Sequence, residues 1–80
     1  MKLPRNVAPE KLIHALSVLG YRPTRQTGSH VRITTETHEE HHEVIPMEHR
    51  IKVGTLHAIL ASIAKHHGLS VDDLLSMLEL

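Results

Sequence analysis

Ser29-His30-Val31-Arg32-Ile33-Thr34 alternates polar and apolar side chains. An extended strand turns that alternation into one buried and one open surface, because successive side chains point to opposite faces. Val31 and Ile33 are predicted to point into a core, which leaves His30 and Arg32 on the other side. Gly28 supplies a turn just upstream, and Tyr21 to Thr27, rich in polar and branched residues, reads as the preceding strand. Pro23 predicts that this strand lies at a sheet edge, where a missing N–H does least harm. Downstream, the polar run Thr35 to Glu40 reads as a loop or hairpin end. His41 to Pro46, containing Val44 and Ile45, reads as a third strand stopped by its proline. Short connections make the three strands an antiparallel meander with the quoted stretch at its centre.

Helices flank the strands. Leu12, Ile13, Leu16 and Leu19 form an apolar stripe at helical spacing. Pro9 suits the first helical position and Gly20 the residue past the end. Leu56, Ile59, Leu60 and Ile63 predict a second helix from about Thr55, closed by Gly68. His66 and His67 fall in its last turn, where the helix dipole favours positive charge. Ser70, with Asp73 three residues on, predicts the cap of a short third helix whose apolar face is Val71, Leu74, Leu75 and Leu78. The expected fold is therefore α+β, in the order α-β-β-β-α-α, with a three-stranded antiparallel sheet and all helices on one face. Residues 1–80 show no repeat and no linker, so a single domain is expected.

Composition narrows the function. The chain has no cysteine, which excludes disulfides and thiolate chemistry. It has no run of about 18 apolar residues that could span a bilayer, and no apolar signal segment follows Met1-Lys2-Leu3-Pro4. A cytoplasmic location with no membrane partner is expected. With no Phe or Trp and one Tyr, the chain is poorly equipped to bind RNA by stacking bases on exposed aromatics. Net charge is zero, yet residues 1–35 carry six cations against Glu10 alone, while residues 36–80 carry three cations against eight anions. That asymmetry suggests a basic face with an acidic region elsewhere, although charge alone favours a solvated surface of mixed charge.

Histidine exchanges protons near neutrality. Cleaving RNA without a metal needs a group to deprotonate the 2′-hydroxyl and a group to protonate the leaving 5′-oxygen. Positive charge must also sit near the phosphate. His30 could serve as base or acid. Arg25 and Arg32, if they share its face, could hold the phosphate through paired N–H groups. Gly28 would allow close backbone approach, and the Ser29 hydroxyl could contact a phosphate oxygen. Local chemistry equally fits an exposed strand histidine beside a hairpin, with Gly28 present only for the turn.

Several runs taken together resemble the HicA family of mRNA-interferase toxins. They begin with Lys2-Leu3-Pro4 and the helix ending Leu19-Gly20-Tyr21, followed by Arg25-Gln26-Thr27-Gly28-Ser29-His30-Val31. Then come the strand ending at Pro46, the run Lys52-Val53-Gly54-Thr55-Leu56, and Ile59-Leu60 leading to Gly68-Leu69-Ser70. The resemblance implies a fold like the double-stranded RNA-binding domain, with the site on the open sheet face. It further implies metal-independent endoribonuclease cleavage of mRNA, with the histidine of Gly-Ser-His, His30, as the catalytic residue. No cofactor is implied. The implied partner is a HicB-type antitoxin that covers the site, with operator DNA contacted only through that complex. Family members often carry a histidine two residues after the strand-ending proline; this chain has Glu48 there and His49 next to it. A non-catalytic RNA-binding module of the same fold is the alternative function.

His38-Glu39-Glu40-His41-His42 formally matches H-E-x-x-H, the pattern of zinc proteases. That chemistry needs the segment on a helix and a third rigid ligand. The segment instead lies between two strand signals and has no apolar stripe, so it is expected to be a solvated hairpin, with incidental metal binding its only metal chemistry. His14 and His57 lie off the apolar stripes and are expected to be solvated.

Overall fold

The computed structural model describes residues 2–80. Its elements are α1 (Pro9–Leu16), β1 (Arg22–Thr27), β2 (His30–Thr35), β3 (His41–Pro46), α2 (Val53–His67) and α3 (Val71–Leu78), with a 3₁₀ turn at Ser17–Leu19. The sheet order is β1-β2-β3 and both pairings are antiparallel. The predicted α-β-β-β-α-α meander is the observed fold, with β2 central and the proline-bearing β1 at an edge.

Val31, Ile33 and Ile45 point to the helices and join Leu12, Leu16, Leu56, Leu60, Ile63 and Leu74 in one core. Aliphatic side chains carry nearly all of it. Burying a Leu, Ile or Val contributes about 1.5–3 kcal/mol, so roughly a dozen such side chains can hold so short a chain without disulfides. Ser70 Oγ accepts from the Asp73 N–H at 3.0 Å, as the predicted cap requires. Gly68 ends α2 in the left-handed conformation, with φ of 68°.

Three details differ from the expectation. The predicted helix over Pro9 to Leu19 is α-helical only to Leu16 and then tightens into the 3₁₀ turn. There the Ser17 hydroxyl donates to the His14 carbonyl, and Gly20 reverses the chain with φ of 84°. The second helix starts at Val53, two residues early. Thr35, assigned to the loop, ends β2 and is fully buried. Its Oγ1 donates to the Leu19 carbonyl at 2.8 Å and accepts from the Thr37 N–H at 3.1 Å. Those two bonds satisfy the buried hydroxyl, so a residue polar in sequence can close the core.

Candidate functional site

β1 and β2 join through the two-residue turn Gly28-Ser29, since Thr27 pairs with His30. Gly28 has φ of 56°, and Ser29 is not among the positive-φ residues, the pattern of a II′ turn, which favours glycine at its first central position. Ser29 and Gly28 are both exposed. The Ser29 carbonyl accepts from the Met47 N–H at 2.6 Å, tying the turn to the end of β3. His30 opens β2 and is exposed, and Pro46 is its partner on the other side.

A β-bulge decides where Arg25 goes. Arg22 pairs with Thr34 and Pro23 with Ile33, but Arg25, not Thr24, pairs with Arg32. One extra residue on β1 shifts every later side chain to the opposite face. Without it Arg25 would oppose Val31 and point toward the helices. With it, Arg25 stands beside Arg32, and Thr27 beside His30, on the face away from the core. Thr24 Oγ1 lies 2.8 Å from Thr34 Oγ1 and 3.3 Å from the Arg32 carbonyl, which pins the bulged residue to β2.

Arg25, Thr27, His30, Arg32 and Val44 line a depression of about 240 Å³ on this face. Arg32 is half-buried, and its Nε finds no acceptor among the described residues. That nitrogen is shielded from solvent, so the outer end of the guanidinium is what faces the depression. The structure thus brings Arg25, His30 and Arg32 together. Gly28 and Ser29 sit at the adjoining turn, and neither lines the depression.

Further along the same face, His42 Nδ1 lies 2.7 Å from Thr34 Oγ1, and His42 Nε2 lies 2.6 Å from Glu40 Oε2. These contacts cover Thr34, which is only 6% exposed despite lying on the open side. His42, one end of the H-E-x-x-H pattern, is therefore engaged by Glu40 and Thr34. His38, the other end, sits in the turn with φ of 56°. The segment is a hairpin, as expected, and its two outer histidines do not share a helical face.

A second cluster, unforeseen in the sequence, lies where β3 meets the end of α2. Tyr21 is 2% exposed, and its hydroxyl lies 2.7 Å from His41 Nδ1 and 3.0 Å from His67 Nε2. His41 Nε2 is 3.4 Å from Glu43 Oε2, and the Ser62 hydroxyl donates to the same carboxylate oxygen. His66 stacks on His41 with centroids 4.4 Å apart, and its Nε2–H donates to the carbonyls of Thr37 and Glu39.

The network assigns the protons. A phenol has one hydrogen to donate, so one histidine nitrogen accepts it and the other donates to the oxygen. His41 Nε2 faces a carboxylate and must carry a hydrogen, so its Nδ1 accepts from Tyr21. His67 Nε2–H then donates to the phenol oxygen. This leaves His67 Nδ1 as a bare lone pair, the buried nitrogen that has no partner among the described residues.

Both imidazoles are harder to protonate than a free histidine. Burial lowers the His41 pKa, partly offset by Glu43 and reinforced by His66 and His42. Burial also lowers that of His67, with His66, His38 and His41 adding to the effect. Burial and the Glu43 charge push the Tyr21 phenol up to about 12. His67 lies in the last turn of α2 as expected, but there it is also partly buried against Tyr21, which the helix-end reading did not foresee.

Residues 9–69 match the family model described as the HicA toxin of bacterial toxin–antitoxin pairs. No curated protein and no solved structure matches the chain.

Proposed function

Since the chain belongs to the HicA toxin family of bacterial toxin–antitoxin pairs, we propose that it is an endoribonuclease that cuts mRNA on the open sheet face. His30 is its catalytic residue, and the reaction needs no metal. The observation that carries this reading is the bulge, which sets Arg25 against Arg32 beside His30 around one depression.

The chemistry follows from that placement. Two guanidinium groups side by side repel each other unless an anion lies between them, and a phosphodiester supplies one. Held there, the phosphate presents its neighbouring 2′-hydroxyl to His30, which takes the proton as the oxygen attacks phosphorus. The bond from phosphorus to the 5′-oxygen breaks, leaving a 2′,3′-cyclic phosphate, and the departing 5′-oxygen takes up a proton from water. Arg25 and Arg32 stabilise the charge that builds on the phosphoryl oxygens. Ser29 and the Gly28 backbone, at the exposed turn, lie where the strand would continue past His30. In this reading the toxin works in the cytoplasm, and a HicB-type antitoxin neutralises it by covering the same face.

Wild type and His30→Ala, expressed without antitoxin, test the reading through growth and RNA integrity. His30 is exposed, so the variant should keep its circular dichroism and lose cleavage by about 10²–10⁴-fold. Equal cleavage by the folded variant refutes the role of His30. Activity that EDTA abolishes and zinc restores refutes the metal-free mechanism. RNA binding without scission by wild type, at any pH, would instead identify a non-catalytic RNA-binding module.

A further inference from the structure

A larger groove runs between α1 and the outer edge of β1. Its volume is about 660 Å³, within the range of small-molecule sites. Ile13, Val31 and Met47 give it an apolar floor, and Arg25 and Gln26 form its β1 wall. Arg25 lines both this groove and the depression at His30. We propose that the groove holds the base of one unpaired RNA nucleotide next to the phosphate bound at His30, and so contributes to the choice of cleavage site. The inference rests on the reading of the His30 face as an RNA site.

Four observations select a nucleotide as the occupant. The first is continuity. Thr27 lies across from His30, and Arg25 is two residues along the strand from Thr27, so the groove wall stands roughly 8 Å from His30 by ladder spacings. One nucleotide spans that step, with its phosphate on the open face and its base folded around the sheet edge. Charge is the second: Arg22 and Arg25 line the groove against Glu10 alone, which suits a strand carrying phosphates. The third is stacking. Phe and Trp are absent and Tyr21 is buried, which leaves the Arg25 and Arg22 guanidinium planes and the exposed His14 ring of the lining as the flat surfaces on which a base can stack. The fourth is the edge itself. β1 has no strand on its outer side, so its main-chain N–H and C=O groups can read a base edge. A peptide strand would need a long regular edge to pair with, and Pro23 and the bulge interrupt this one.

The test measures binding, so that it does not depend on cleavage. Full-length His30→Ala is titrated with a short single-stranded RNA and with the same RNA carrying one abasic nucleotide, moved along the strand position by position. One abasic position should weaken binding about tenfold, the worth of a stacked base. In His30→Ala/Ile13→Trp, where the indole fills the groove, that penalty should vanish. The inference is overturned if the penalty persists in this variant while its circular dichroism is native. It is equally overturned if the tryptophan weakens antitoxin binding and leaves the RNA profile unchanged, because the groove then serves a protein. Gln26→Leu, at an exposed position, keeps the test decisive should the tryptophan variant misfold: it should change which base is preferred, and an unchanged preference overturns the inference. If the abasic penalty behaves as expected while His30→Ala still cleaves RNA, the groove stands and the catalytic assignment falls.

Discussion

Tyr21→Phe removes a single oxygen from the interior, and the structure sets what it should cost. The phenol donates to His41 Nδ1 at 2.7 Å and accepts from His67 Nε2–H at 3.0 Å. Each bond contributes about 1 kcal/mol net, and each histidine nitrogen left unpaired out of water adds to the loss. The ring stays, so little packing is lost. The expected cost at pH 7.5 is about 2 kcal/mol, which for a domain this size lowers Tm by roughly 8–16 °C. The chain has no tryptophan and the variant loses its one tyrosine, so unfolding is followed by far-UV circular dichroism in heat and urea.

The same variant carries a pH test. His41 and His67 have pKa values below the ordinary 6.5 in the folded protein, so the unfolded chain binds protons more readily. Their stabilisation is therefore complete above about pH 6.5 and is lost as pH falls below it toward the folded values, by no more than about 1.4 kcal/mol per pH unit for each histidine. Once both imidazoles are charged, both must donate to one phenol oxygen and the arrangement breaks. The wild-type protein should thus lose stability toward pH 5, and the cost of Tyr21→Phe should shrink there. A cost under about 0.5 kcal/mol at pH 7.5, below the usual worth of one hydrogen bond, would refute the network. So would a cost that is the same at both pH values.

Gly20→Ala should destabilise by about 2–3 kcal/mol, because a left-handed backbone disfavours a side chain and its Cβ would meet Thr35 Oγ1 at 2.8 Å. Gly68→Ala, with φ of 68° but open space around it, should cost only about 1 kcal/mol; urea unfolding of the pair checks the contrast. Arg25→Ala and Arg32→Ala should each weaken RNA binding and flatten its log–log salt dependence by about 0.7 per lost phosphate contact on a single strand; an unchanged slope removes that arginine from the site. Ser70→Ala should lose about 1 kcal/mol through the α3 cap, read as a lower urea midpoint without any change in RNA cleavage.

The strand at the centre of the fold was legible because one residue class alternated with another, and alternation has a single structural meaning. Val31 and Ile33 fix the inner face of β2, and Pro23 fixes β1 as the edge. The partnership of Arg25 with Arg32 was not legible in the same way. It depends on one extra residue in β1, and a bulge leaves no periodic trace in a strand whose residues are all exposed. Pro23 was the available signal, since prolines within sheets fall at edges or bulges. Thr35 was misread for a related reason: its hydroxyl is satisfied by the Leu19 carbonyl, a partner sixteen residues away that no local pattern announces.

The histidines show most clearly where sequence reading stops. Nine of them look alike in composition, and the fold sorts them by what their ring nitrogens meet. His41 and His67 share the Tyr21 hydroxyl, His66 caps two carbonyls of the β2–β3 turn, and His42 joins Glu40 to Thr34. Tyr21 and the histidines of its cluster come from three separated segments, the residue before β1, the start of β3 and the end of α2, so no spacing rule could have gathered them. Those engagements make protonation costly at His41 and His67 and tie it to stability. His30 instead stands on a strand end, exposed, with two arginines around one depression. An exposed side chain at a strand end packs against little of the fold, so replacing it leaves the core intact. The two groups should therefore separate experimentally: substitutions at Tyr21 or His67 should move Tm and its pH dependence, whereas His30→Ala should move cleavage alone.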